Sequence, residues 1–175
     1  MTRSLVIIAC LALCVAVGAR GDEKKGSAVR QDTFVKVTSH LGNSFVAPSQ
    51  WTTTDKGDTF SLESPDGRAV IHAIMFAAEG SGPLQAFRET IASGLLPSGA
   101  TAWKASDWTP IKLGGRDAQK RELVPVPESK QGWRLYVMDA GRFYHAIILN
   151  ASADAMALNG GFYEDIVRTF DGVRE

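Results

Sequence analysis

"QGWRLYVMDAGRFYHAIIL", residues 131–149, decides the fold class. Two runs rich in aromatic and β-branched residues flank Asp139-Ala140-Gly141-Arg142, a turn composition, so the stretch predicts a β-hairpin. With Ala140 and Gly141 as the loop, alternation puts Trp133, Leu135, Val137, Tyr144, Ala146 and Ile148 on one face. Arg134, Tyr136, Met138, Phe143, His145 and Ile147 take the other. A hairpin with large apolar groups on both faces belongs to a sheet covered on both sides.

Reading outward from the hairpin, helical spacing supplies the covers. "SADAMALNGGFYEDIVRTF" (152–170) offers Ser152 as an N-cap and Leu158, Phe162, Ile166 and Phe170 at a spacing of four. That periodicity predicts one helix over 153–170, softened at Gly160–Gly161 because each interior glycine costs roughly 1 kcal/mol. In "SGPLQAFRETIASGLL" (81–96), Leu84, Phe87, Ile91 and Leu95 predict a second amphipathic helix near 83–95.

The remaining extended runs complete the sheet. "TFVKV" (33–37) reads as a first strand, and "SPDG" (64–67) as the turn between strands at 58–63 and 68–77. The segment from Asn43 into the "TTTDK" run reads as an irregular edge, and "ATAWKASDW" (100–108) as a loop. "IKLGGRDAQKREL" (111–123) joins runs at 108–113 and 116–124 through Gly114 and Gly115. Its cations Lys112, Arg116, Lys120 and Arg121 are offset by Asp117 and Glu122, and no helix N-terminus follows, so the glycines read as a tight turn rather than an anion cradle. On that reading Gly115→Val lowers thermal stability.

"VIHAIMF" and "FYHAIIL" each precede a polar loop and a helix. They suggest two ββα units around one antiparallel sheet, although so short a similarity does not establish duplication.

In this order the features resemble the PsbP-like (Mog/PsbP) superfamily, over nearly all of residues 33–172. The residues that carry the resemblance are "SFVAPSQW" (44–51), "AVIHAIMF" (69–76), the apolar-x-Leu-Gly-Gly-x-x-Ala turn within 111–123, "GRFYHAIIL" (141–149) and "IVRTF" (166–170). The resemblance implies an α/β/α sandwich with a central antiparallel sheet. None of its motifs is catalytic, and it transfers no photosystem-specific, Ran-specific, metal or cofactor residue.

The start of the chain, "MTRSLVIIACLALCVAVGARGDEKKG", places Arg3 before an apolar run from Leu5 to Val17 and then small residues. It reads as a secretory signal peptide over 1–19, cleaved after Ala19, followed by a linker over 20–32 and a domain over 33–175. The run is too short to span a bilayer, and no later segment approaches the required length. Cys10 and Cys14 both lie in the signal, which leaves the expected mature domain without disulfides or thiolate chemistry. Lipidation of either cysteine is the weaker alternative, because Leu13 stands where a small residue is required and the apolar run before Cys10 is short. Cleavage after Gly21, the near alternative to Ala19, removes Arg3 and Arg20 and leaves 17 basic against 19 acidic residues, a net charge of about −2. Such a balance argues against a nucleic-acid binder.

Candidate chemistry is sparse. His72 and His145 lie on apolar strands that could meet as a metal pair, but His40 is the sole further histidine and no metal-spacing motif is present. No G-x-S-x-G elbow occurs; "GNSF" and "LPSG" lack its setting. Gly80 and Gly82 precede the first helix without the rest of a nucleotide-binding fingerprint, and read as a flexible joint. "NAS" (150–152) matches a glycosylation sequon. The aromatic residues carry more: Trp103 and Trp108 on the expected loop, with Arg134 and Arg142, are the candidate partner-binding residues, since tryptophan and arginine most often anchor interfaces. The expectation is an exported, non-catalytic accessory or protein-interaction module of the cell envelope, secreted or periplasmic, without cofactor or metal. Its partner is an unidentified envelope protein. The competing reading is a small-molecule-binding protein or enzyme with a pocket between sheet and helix.

Overall fold

The structure, a computed structural model, describes residues 33–97, 100–126 and 130–173. The expected signal peptide and linker, with Cys10 and Cys14, lie outside the described residues. Ten strands and two helices follow in the order β1 (Phe34–Thr38), β2 (Ser44–Pro48), β3 (Thr52–Lys56), β4 (Thr59–Glu63), β5 (Ala69–Ala77), α1 (Leu84–Gly94), β6 (Ala102–Ala105), β7 (Thr109–Leu113), β8 (Arg116–Val126), β9 (Gln131–Asp139), β10 (Phe143–Ser152) and α2 (Ala153–Arg168). Among the described residues β3 to β10 form one antiparallel sheet in the order β3-β4-β5-β10-β9-β8-β6, with β7 beside β6 on the same edge of β8. Strands β1 and β2 pair separately.

The sheet is covered on both faces, as the central hairpin predicted. Tyr136, Met138, Ile147 and Leu149 pack with Tyr163, Ile166, Val167 and Phe170 of the α2 region and with Phe45 and Ala47 of β2. Leu135, Val137, Tyr144, Ala146 and Ile148 pack with Phe87, Ile91 and Leu95 of the α1 region. This is the expected α/β/α sandwich.

The β9–β10 register differs from the two-residue loop. Asp139 pairs with Tyr144 rather than Arg142, and Ala140 N–H donates to the Phe143 carbonyl at 2.9 Å. The loop is two residues longer, with Gly141 at φ +82° and its N–H held by Asp139 Oδ1. A shift of two leaves every side chain on its expected face, because the side-chain period of a strand is two.

Three strands correct the sequence reading outright. The expected loop containing Trp103 is strand β6, with Trp103 opposite Pro125 on β8, and the expected irregular edge forms β2 and β3. In α2 the stripe of four does not face the core throughout: Ile166 and Phe170 are buried, whereas Leu158 is 80% exposed and Phe162 37%. A row spaced by four advances about 40° around the helix at each step, so it begins outside and ends inside. The buried stripe is Ala155, Gly160, Tyr163, Ile166 and Val167. Ser152 caps the helix as expected, accepting from Ala155 N–H.

The two ββα units pair side by side through β5 and β10, antiparallel, but their helices pack on opposite faces. The rotation that superimposes the strand pairs would put both helices on one face. The units therefore share an order and have opposite hands, which rules out a symmetric duplication.

The glycine turn between β7 and β8 also seats the end of α2. Gly114 N–H donates to the Arg168 carbonyl at 2.8 Å, and Arg116 Nη2 to the Gly172 carbonyl at 2.9 Å. From there the chain runs along β2, where Ser44 and Asp171 exchange backbone hydrogen bonds and Val173 N–H reaches Asn43 Oδ1. Residues 169–173 thus clasp the first hairpin to the sheet.

Candidate functional site

The most chemically distinctive surface surrounds Trp108, on the α1 side of the sheet. The spacing of α1 buries Phe87 and Ile91 and turns Arg88 and Glu89 toward the β6–β7 connection. The guanidinium groups of Arg88 and Arg121 each lie 5.1 Å from the centre of the Trp108 ring. Glu89 accepts from Trp108 Nε1 at 2.9 Å and from Arg121 Nη1 at 2.8 Å. The hydrogen bond from Trp108, followed by that from Arg121, holds the Glu89 carboxyl below its ordinary range. Arg121 Nε is anchored on the Ser106 carbonyl at 2.7 Å. Arg88 forms no ion pair among the described residues, and its buried Nε has no hydrogen-bond partner. Two cations and one carboxylate in contact with an indole make a preorganised aromatic platform.

The other candidate residues lie elsewhere. Trp103 donates Nε1–H to the Ala92 carbonyl at 2.7 Å and meets the Trp133 ring edge-on, fastening the end of α1 to the sheet. Arg134 lies on the opposite, α2 face, where it donates to the Gly160 carbonyl at 2.9 Å and pairs with Glu122 and Glu164. Arg142 stands in the β9–β10 loop, and its carbonyl accepts from Ala78 N–H. The four are therefore not assembled into one site. Trp108 instead collects Arg88, Glu89 and Arg121, which sequence reasoning did not single out. The adjacent Arg88–Glu89 pair in α1 was the available signal.

Arg134 belongs to an ionic cluster that ties α2 to the sheet. Glu164, with a side chain 13% exposed, receives Lys120 at 3.1 Å, Arg168 at 2.8 Å and Arg134 at 3.3 Å. Burial pushes Glu164 up, but the hydrogen bonds from Lys120 and Arg168 outweigh it and hold the carboxyl low. Gly160 makes room for the Arg134 fork, since a Cβ there would stand 3.2 Å from Nη2.

The histidines do not converge. His72 and His145 occupy adjacent strands, but β5 and β10 pair with His72 opposite Ile148 and His145 opposite Met75, so the two rings lie on opposite faces. His72 Nδ1 lies 2.7 Å from Ser61 Oγ, and burial lowers its pKa. His145 is fully buried against Phe170. Burial, then the charge of Arg116, lower its pKa to about 4, so the ring is neutral at pH 7. Among the described residues no group of three metal-ligating side chains converges. The strand–helix joint holds Gly80 and Gly82 at φ +84° and +73°, and the Gly82 carbonyl accepts from Tyr144 Oη.

An antiparallel sheet with one helix on each face and a two-stranded flap beside the second is the PsbP/Mog1-like α+β fold. Cyanobacterial PsbP (CyanoP) from Synechocystis has it, with a TM-score of 0.60 at 9% identity, over 86% of this chain and 98% of that one. The Saccharomyces cerevisiae Ran-binding protein Mog1p follows at 0.55 and 11%, over 82% of this chain and 97% of its own. A Pseudomonas aeruginosa protein of unknown function, described as a putative regulator, gives 0.50 and 12%, over 81% and 99%. At these identities the likeness establishes the fold alone. No protein-family model and no curated protein matches the sequence.

Proposed function

We propose that this protein is a non-catalytic accessory module of the cell envelope that binds a protein partner through the Trp108 platform. The observation that carries the reading is the indole held by Arg88 and Arg121, with Arg88 outside close ion-pair distance of the carboxylates among the described residues. Tryptophan and arginine in a fixed arrangement are the usual anchors of protein interfaces, and an arginine outside close ion-pair contact favours a partner with an acidic group at its contact. An N-terminal stretch expected to direct export supports the envelope, and a neighbour of the same fold is named for binding another protein, Ran. Candidate residues Trp103, Arg134 and Arg142 then serve packing or lie away from the contact.

A photo-crosslinking amino acid placed at Gln85, exposed on α1 one turn before Arg88 and Glu89, tests the reading in the native host against the same group at Asp117, at the start of β8. One reproducible protein captured from position 85, and lost on Arg88→Ala, is the expected result. Equal capture from both positions, or none from either, overturns it.

A further inference from the structure

We propose that the protein pairs with a second copy of itself through the outer face of α2, crossing antiparallel at Gly161. Between Asp154 and Glu164 this helix carries no charged residue, and its solvent side presents Ala157, Leu158, Gly161 and Phe162. Leu158 is 80% exposed. Phe162 extends the patch to Phe34 of β1, itself 49% exposed, through an edge-on ring contact at 6.2 Å. A contiguous apolar strip on an outer helix is the mark of an interaction surface. At Gly161 a Cβ would meet nothing within 4 Å, so a second backbone can approach closely there.

Charge placement selects a second copy as the occupant. Asp154 and Arg168 lie on the same outer stripe as Gly161, one in the first turn and one in the last, each seven residues from it. A two-fold axis through Gly161 sets Asp154 of each copy against Arg168 of the other, and brings Leu158 between Phe162 and Asp165 of the second copy. Arg168 already holds Glu164 at 2.8 Å, but its side chain is 48% exposed and retains donors for a second carboxylate. The surface lies on the α2 face, opposite the Trp108 platform, so pairing and partner binding do not compete. One helix pair with a flanking phenylalanine is a small interface, and the dimer is correspondingly weak.

Sedimentation equilibrium of the protein isolated after export, in a series reaching roughly 1 mM, reads this directly. A monomer–dimer equilibrium is expected. Asp154→Arg and Arg168→Asp should each weaken it roughly tenfold, and the double variant should restore it. An equimolar mixture of the two single variants should form heterodimers, because both charge pairs are then attractive. Leu158→Ser should weaken pairing while leaving thermal unfolding unchanged, which separates the interface from the fold. A monomer throughout the series, single reversals without effect, or a double variant that stays dissociated would each overturn the proposal.

Discussion

Substituting alanine at Gly114 and, separately, at Gly115 distinguishes two duties that neighbouring glycines perform in one turn. Both have positive φ, +53° and +82°, and a side chain in that region costs about 1 kcal/mol. At Gly115 that is the whole cost, since a Cβ there meets nothing within 4 Å. At Gly114 the Cβ would stand 2.4 Å from the Phe170 carbonyl oxygen and 3.3 Å from its carbon. Ordinary contact begins about 1 Å further out, and the obstacle is backbone, so the segment after α2 has to move. Moving it weakens the Gly114–Arg168 hydrogen bond and loosens the fully buried Phe170 ring, at roughly 1 kcal/mol each. Gly114→Ala is therefore expected to cost about 3 kcal/mol and Gly115→Ala about 1. In a chain of this size these correspond to melting-temperature losses of roughly 10 °C and 3 °C. Thermal and urea unfolding followed by circular dichroism give both values. Equal losses would refute the close-approach argument, leaving turn conformation as the sole role of the pair.

Two further outcomes follow from buried groups. His145 is neutral in the folded state, with its pKa lowered from 6.5 to about 4, so the unfolded chain binds the extra proton first as pH falls. Its contribution is complete above pH 6.5 and is lost between there and pH 4, by roughly 3 kcal/mol. Urea unfolding at pH 7.5 and pH 5 should show a smaller loss in His145→Phe than in the parent; equal losses would contradict it. Gly161→Ala should stabilise the fold by about 1 kcal/mol through helix propensity, since its site is open, whereas Gly160→Ala should gain less because the new methyl presses on Arg134 and Met156. Equal gains in chemical denaturation would show that Gly160 does not accommodate the guanidinium.

What was legible in the sequence was whatever depends on local period. The two faces of the 131–149 hairpin survived a register shift of two because only parity matters to them. The α2 stripe failed for the converse reason: a spacing of four imitates the helical period over one turn and drifts over three. Strand β6 escaped because four residues between exposed neighbours carry no alternation, and β3 because its five residues are all exposed. Long-range duties left no local trace. Gly114 reads as a turn residue, and its contact lies on Phe170. Trp108 stood out by composition, but Arg88 and Arg121 become its neighbours only through the packing of α1 against β8. Arg134 stood out in the same way, and its counterion Glu164 lies on a helix that begins after the next strand.

The strand order has a consequence for the timing of folding. Strand β10 is the last made of the ten described, yet it lies at the centre of the sheet, between β5 and β9. Until it is available the sheet exists as two halves with open inner edges, β3-β4-β5 on one side and β9-β8 with β6 and β7 on the other. The hairpin β1–β2 waits longer still, for the clasp at residues 169–173. A chain that emerges N-terminus first cannot close its core until nearly all of it has been delivered. Its folding then depends on pairings between distant segments, which is the slow regime for a domain of this size. The two halves of the sheet thus wait, with unpaired inner edges, for a single strand made almost at the end of the chain.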